Sequence, residues 1–401
     1  MALLATAVAP GGTALAAPDP GPVMPDPPRR PAPQSTACAP GSTYVFRSGV
    51  WAQVRLAPER VWPLTRGEGV TVAVLDTGVS AAAPTLTGVV LPGADVVGTS
   101  GRADSDCAGH GTFVAGLIAS RPVDGVRYAG VAPGVRILPV RISDPRTDGR
   151  DGVGGDAIAR GIRAAVDGHA DIVAVPLGTL VPTPELTSAV DDAIARGVLV
   201  VAAVGADGKG ERRTYPAAHP KVLAVGPTND KVEAKAGAAG PDRVDLVGPG
   251  VNVVGIGTSG GGHYIDDGAG PAVGFVAATA ALVRAYRPKL TPEQVAHRLI
   301  ATADASGRPA AGNPLGNGIV DPYAAVTSVL PEEGAAAAHS PAPAPRVEPL
   351  AAPARDPRPA RVAWRVAGGS LGIAVLATLL WWVRRQHLRR SVHSVGAVSA
   401  S

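Results

Sequence analysis

The sequence predicts a doubly wound α/β fold, a parallel sheet covered by helices on both faces, followed by one C-terminal transmembrane helix. Three observations predict it. Short, continuous apolar runs alternate along the chain with segments of helical spacing. Runs that are apolar throughout belong to strands buried on two sides, as in parallel sheets. Near the end lies an uncharged stretch, Val366 to Val383, which at about 1.5 Å per residue spans a hydrocarbon core.

Composition sets the limits. A chain of 401 residues, 46% hydrophobic and 17% charged, holds one large domain with appendages and can bury a sizeable core. The net charge of +4 leaves no whole-chain nucleic-acid footprint. Two cysteines supply neither a Cys-rich zinc site nor a disulfide-dense scaffold. No cofactor is expected.

Taken in order, Val70 to Leu75 reads as a strand ending at Asp76, and a helix starts near His110. Arg136 to Ile142 is a strand, Asp156 to Val166 a helix, Asp171 to Leu177 a strand, Leu186 to Arg196 a helix, and Val198 to Val204 a fully apolar strand. Val222 to Val225 and Val251 to Val254 are read as further strands, then Phe275 to Tyr286 and Pro292 to Ala301 as helices. In such sheets, polar residues at strand C-terminal ends are candidate site residues, and Asp76 stands at one. His263, with Asp266 and Asp267 nearby, reads as a solvated turn rather than a metal site, because a fourth ligand is missing.

Both ends read as membrane-targeting segments. Residues 1–16 are small and apolar and end Ala14-Leu15-Ala16, the pattern of a secretory signal peptide, without its basic start. The alternative is an Ala-rich tail. Residues 17–40 form a Pro-rich arm, 41–330 the globular domain, and 331–360 a Pro- and Ala-rich spacer. The span 366–383 is followed by the basic tail 384–401, with Trp381 and Trp382 at the interface. That charge pattern places the tail in the cytoplasm and the globular domain outside. An extracytoplasmic domain allows a disulfide between Cys38 and Cys107, stapling the arm to the body; otherwise both remain thiols.

The motifs resemble a known family. Val74-Leu75-Asp76-Thr77-Gly78 is similar to the Asp motif of subtilisin-like (S8) serine proteases, and Gly109-His110-Gly111-Thr112 to their His motif. Gly130-Val131-Ala132-Pro133-Gly134 and Gly248-Pro249-Gly250 resemble two supporting motifs in the same order. The segment Trp51 to Gly67 resembles the one preceding the Asp motif in mycosins, the membrane-anchored subtilases of type VII secretion systems in actinobacteria. The resemblance implies a subtilase fold, with Asp76 orienting His110 as the general base for a serine. It also implies the plasma membrane as location, with secretion-channel components or secreted polypeptides as partners and no nucleic acid. Mycosins usually carry a second disulfide, for which no cysteines remain.

The nucleophile motif departs from the family. Aligned on Phe275-Val276-Ala277, the chain reads Gly268-Ala269-Gly270-Pro271-Ala272-Val273-Gly274, so the Ser position is Gly270. Glycine cannot attack a carbonyl. The oxyanion Asn position is Ala206, which has no donor, and the family's Ser-Leu-Gly segment reads Pro176-Leu177-Gly178. In subtilisin, losing the Asn costs roughly 10²–10³ and losing the Ser roughly 10⁶ in rate. Ser259, in a Gly-rich loop, is the alternative nucleophile, but a loose loop holds attack geometry poorly. The expectation is a catalytically impaired subtilase homologue acting as a scaffold or binding component, against the alternative of an active serine endopeptidase.

Overall fold

The computed structural model describes residues 28–31, 37–47, 50–98, 101–126, 128–145, 153–205, 212–234, 242–305 and 314–333. The expected signal segment, the expected membrane span 366–383, the tail and nearly all of the spacer lie outside the described residues. The chain divides into two units, residues 1–337 and 338–401, and only the first contains described elements.

In chain order these are α1 (Trp51–Leu56), β1 (Thr71–Asp76), β2 (Ala94–Asp95), α2 (His110–Ala119), β3 (Arg136–Arg141), α3 (Gly155–Asp167), β4 (Ile172–Val175), α4 (Pro184–Ala195), β5 (Leu199–Ala203), β6 (Leu223–Thr228), β7 (Leu246–Pro249), β8 (Val253–Ile256), β9 (His263–Asp266), α5 (Ala269–Tyr286), α6 (Pro292–Ala301) and α7 (Pro322–Thr327).

Seven strands form one sheet in the order β2-β3-β1-β4-β5-β6-β7, every pair parallel. The strands β1, β4 and β5 are buried along their whole length, which is why they read as unbroken apolar runs. The two faces carry separate cores. Val72, Val74, Ile172 and Val201 point into a core shared with α2 and α5. Leu75, Val173 and Val200 point the other way, onto Ile158 and Ile162 of α3 and Val190 of α4.

Two sequence readings are corrected. The run Val251 to Val254 is no part of the parallel sheet. Its second half belongs to β8, which pairs with β9 as an antiparallel hairpin; a run of apolar residues shows that a strand exists but not what it pairs with. The sheet's last strand is instead β7, inside the Gly248-Pro249 motif. His263 is not in a solvated turn. It is 2% exposed on β9, its Nδ1 accepts the Phe46 N–H at 3.1 Å, and its ring meets Tyr128 edge-on at 4.9 Å.

The described parts of the arm, residues 28–31 and 37–40, and the segment that follows them lie on the body. The Ile265 N–H donates to the Pro28 carbonyl at 2.9 Å, the Arg30 N–H to the Ile265 carbonyl at 2.8 Å, and the His263 N–H to the Tyr44 carbonyl at 2.7 Å. The free edge of β9 is thereby covered, which removes an exposed strand edge. Cys38 is bonded to Cys107. At the other end, the fully buried Arg298 holds Glu333 in an ion pair, so the body continues past Leu330 to Glu333. Among the described residues α5 alone is long and apolar enough to cross a membrane, and 78% of it is buried: it is the central core helix.

Candidate active site

The site forms where the sheet's C-terminal edge meets two helix N-termini. β1 ends on Asp76, which is fully buried. α2 begins at His110, directly above it. The approach is very close: a Cβ on Gly111 would stand 2.0 Å from the Gly78 carbonyl oxygen and 3.0 Å from the Asp76 Cβ. Only glycine fits there, and Gly78 itself has φ +97°, a left-handed turn that favours glycine. These two glycines let β1 and α2 meet.

The contact that results is short. His110 Nδ1 lies 2.7 Å from Asp76 Oδ2 and 2.9 Å from Oδ1, while the Thr77 N–H donates to Oδ1 at 2.8 Å. The His110 side chain is 17% exposed. Burial works against the imidazolium, but the Asp76 charge and hydrogen bond outweigh it and hold the His110 pKa above the ordinary histidine value. With Nδ1 on the carboxylate, Nε2 is the ring atom left to take a proton, and it has no partner among the described residues.

Sequence reasoning missed Asp106. Its buried carboxylate accepts from the Thr77 hydroxyl at 2.8 Å, the Gly109 N–H at 2.8 Å, and the Thr112 N–H and hydroxyl at 2.8 and 2.7 Å. It ties the end of β1 to the start of α2 and satisfies orphan donors at the helix N-terminus. Desolvation pushes its pKa up against those donors. An Asp three residues before Gly109, ahead of a helix start, is the signal that could have found it.

Opposite His110 stands Gly270, the second residue of α5. A Cβ at this position would point at the imidazole, 2.9 Å from both Nε2 and Cε1, and 3.4 Å from the Pro176 Cβ. Of the residues singled out in the sequence, the structure thus brings Asp76, His110, Gly270 and Pro176 together. Ser259 lies apart, on the loop between β8 and β9, with its hydroxyl against Gly41: a Cβ there would sit within 2.4 Å of it. Ala206 lies outside the described residues. Among those residues no group of three His, Cys, Asp or Glu side chains could hold a metal ion.

This arrangement has a family. The Subtilase family matches residues 67–318, more than half of the chain. The chain is a subtilase. It is 38% identical over 206 residues to the major intracellular serine protease of Bacillus subtilis, a match covering 49% of this chain and 63% of that protein. It is 30% identical over 418 residues to mycosin-1 of Mycobacterium tuberculosis, covering 90% of this chain and 92% of mycosin-1. A solved structure of the serine protease MycP1, described as an essential component of the type VII (ESX-1) secretion system, superposes with TM-score 0.63 at 29% identity, over 77% of this chain and 98% of that one. The match to mycosin-1 runs nearly end to end, so this subtilase is of the mycosin type.

Proposed function

We propose that this subtilase is a membrane-anchored component of a type VII secretion system whose cleft binds or scaffolds polypeptide without cleaving it. The observation that carries the reading is the bare Cα of Gly270 facing His110 Nε2. A nucleophile in this chemistry must place an oxygen between the helix start and that nitrogen, and glycine brings none. The general base is intact, but the hydroxyl it would deprotonate is missing. Ala206 in place of the oxyanion Asn adds an independent loss, worth about 3–4 kcal/mol of transition-state stabilisation. The cleft can outlive catalysis, because polypeptide recognition by strand addition needs backbone groups rather than a serine.

The intact Asp76–His110 pair is what favours the rival reading, an active endopeptidase processing secreted substrates. A fluorophosphonate separates the two. The purified chain should remain unlabelled and should not hydrolyse peptides; labelling that His110→Ala abolishes would overturn the proposal and direct attention to Ser259. The location is tested independently. The uncharged span 366–383 followed by four arginines supports a single-pass topology with the tail inside. Protease treatment of wall-stripped cells should remove the subtilase domain and spare a tag at Ser401, and a shaved tag would reverse the orientation.

A further inference from the structure

The segment Ser42 to Phe46 is held against the β8–β9 hairpin largely through one residue, His263. The His263 N–H donates to the Tyr44 carbonyl at 2.7 Å, its carbonyl accepts the Ser42 hydroxyl at 2.7 Å, and its Nδ1 accepts the Phe46 N–H at 3.1 Å. Beside these, the Gly262 N–H donates to the Ser42 carbonyl at 2.9 Å. The imidazole is buried, with the Tyr128 ring edge-on at 4.9 Å. Its partner across the hairpin is the apolar Ile256.

This geometry suits one protonation state. A nitrogen that accepts a hydrogen bond carries no hydrogen, so while Phe46 donates to Nδ1 the ring is neutral and its proton is on Nε2. Protonating Nδ1 would set two N–H groups against each other and leave a charge among apolar and aromatic groups. The neighbouring ionisable groups do not relieve it. Asp266, further along β9, is paired with Arg30. The Tyr128 phenol is pushed up by burial and stays neutral, and Arg47, next to Phe46, is exposed to solvent. Burial holds the His263 pKa below the ordinary histidine value, although the Tyr44 carbonyl favours the charged ring.

We propose that His263 is an acid-sensitive joint: protonation of Nδ1 releases Ser42 to Phe46 from the hairpin and uncovers that stretch of the β9 edge. In the released form the ring titrates as an ordinary histidine, near 6.5; in the closed form it titrates lower. Closure is therefore fully favoured above about pH 6.5 and weakens as the pH falls toward the closed-form value. The release is local, because β8 and β9 form a two-stranded sheet separate from the seven-stranded one. The hairpin that leads into α5 is thus braced at neutral pH and loosened in acid. The joint works whether or not the cleft cleaves peptides; only its exposure to external pH rests on the proposed location outside the membrane.

Hydrogen exchange in the purified full chain, read by mass spectrometry and corrected for the chemical exchange rate at each pH, tests the joint. Peptides covering Ser42 to Phe46 and Gly262 to Ile265 should lose protection roughly five- to tenfold between pH 6 and pH 5, while peptides from β4 and β5 keep theirs. His263→Gln offers an oxygen to the Phe46 N–H but takes no proton, so its protection should be the same at both pH values. Unchanged protection of the wild-type peptides overturns the proposal. So does a loss shared by β4 and β5, which would be acid unfolding of the whole body, or equal acid loosening in His263→Gln. The wild-type series needs no variant and decides alone if His263→Gln does not fold.

Discussion

On the α2 side of the cleft, Asp76, Thr77, Asp106, His110 and Thr112 share one buried hydrogen-bond network. On the α5 side, the first turn, Ala269-Gly270-Pro271-Ala272, carries no polar side chain and no capping hydrogen bond from Gly268. One side is tied into the fold through buried polar side chains; the other is backbone and packing. The difference teaches why the halves can part company. Removing a member of the α2 network leaves buried polar groups unpaired, which the fold resists whatever the chemistry requires. A serine hydroxyl at the start of α5 would support the chemistry alone, and on the proposed reading nothing else keeps it.

The strongest way to break this comparison is Asp106→Ala. Two backbone N–H groups and two hydroxyls lose their acceptor together. At about 1–3 kcal/mol for each donor left buried and unpaired, a loss of about 3–4 kcal/mol is expected, because the hydroxyls can turn to other partners. Urea denaturation of the subtilase measures it. A loss under about 1 kcal/mol would mean that the α2 side is no more constrained than the α5 side.

Next in size are changes at Gly270. A Cβ there would stand 2.9 Å from an imidazole that Asp76 holds in place, so Gly270→Ala should cost about 1–3 kcal/mol, the usual range for overpacking. Gly270→Ser carries the same crowding, with its hydroxyl aimed from a displaced backbone, and a 1 Å misplacement alone can cost about a hundredfold. The single change should recover little fluorophosphonate labelling, and Gly270→Ser with Ala206→Asn should recover more than either alone. Full recovery from Gly270→Ser would show the α5 side still shaped for catalysis and would break the comparison from its other end.

The sequence carried much of this, unevenly. Asp76 and His110 were legible because the chemistry constrains their neighbours as well: Gly78 and Gly111 are forced by a backbone approach that no side chain survives. The strands β1, β4 and β5 were legible because burial on both faces leaves no polar interruption. β9 was not, since His263 and Asp266 look solvated until the Phe46 N–H and the Tyr128 ring meet the imidazole and Arg30 pairs with the carboxylate. The arm's role was hidden for the same reason. Composition marks Pro28 to Pro31 as extended backbone, but only the fold brings Arg30 to Asp266, far away in the sequence.

The smallest expected effect is also the finest test of the α2 side. Asp76 raises the His110 pKa in the folded chain above the unfolded value of about 6.5. A group raised in this way stabilises the fold fully below its unfolded pKa, and that contribution fades as the pH rises through the folded pKa. His110→Ala should therefore cost more stability at pH 6 than at pH 9. The sign of that difference is what the test reads. Urea midpoints of both proteins at the two pH values give the number. A larger loss at pH 9 would mean that the fold favours neutral imidazole, and the pair would then be a poised base rather than a structural clamp. With the expected sign, His110→Ala should weaken the fold in acid while leaving secretion in cells unchanged, because a general base with no hydroxyl beside it has no proton to take.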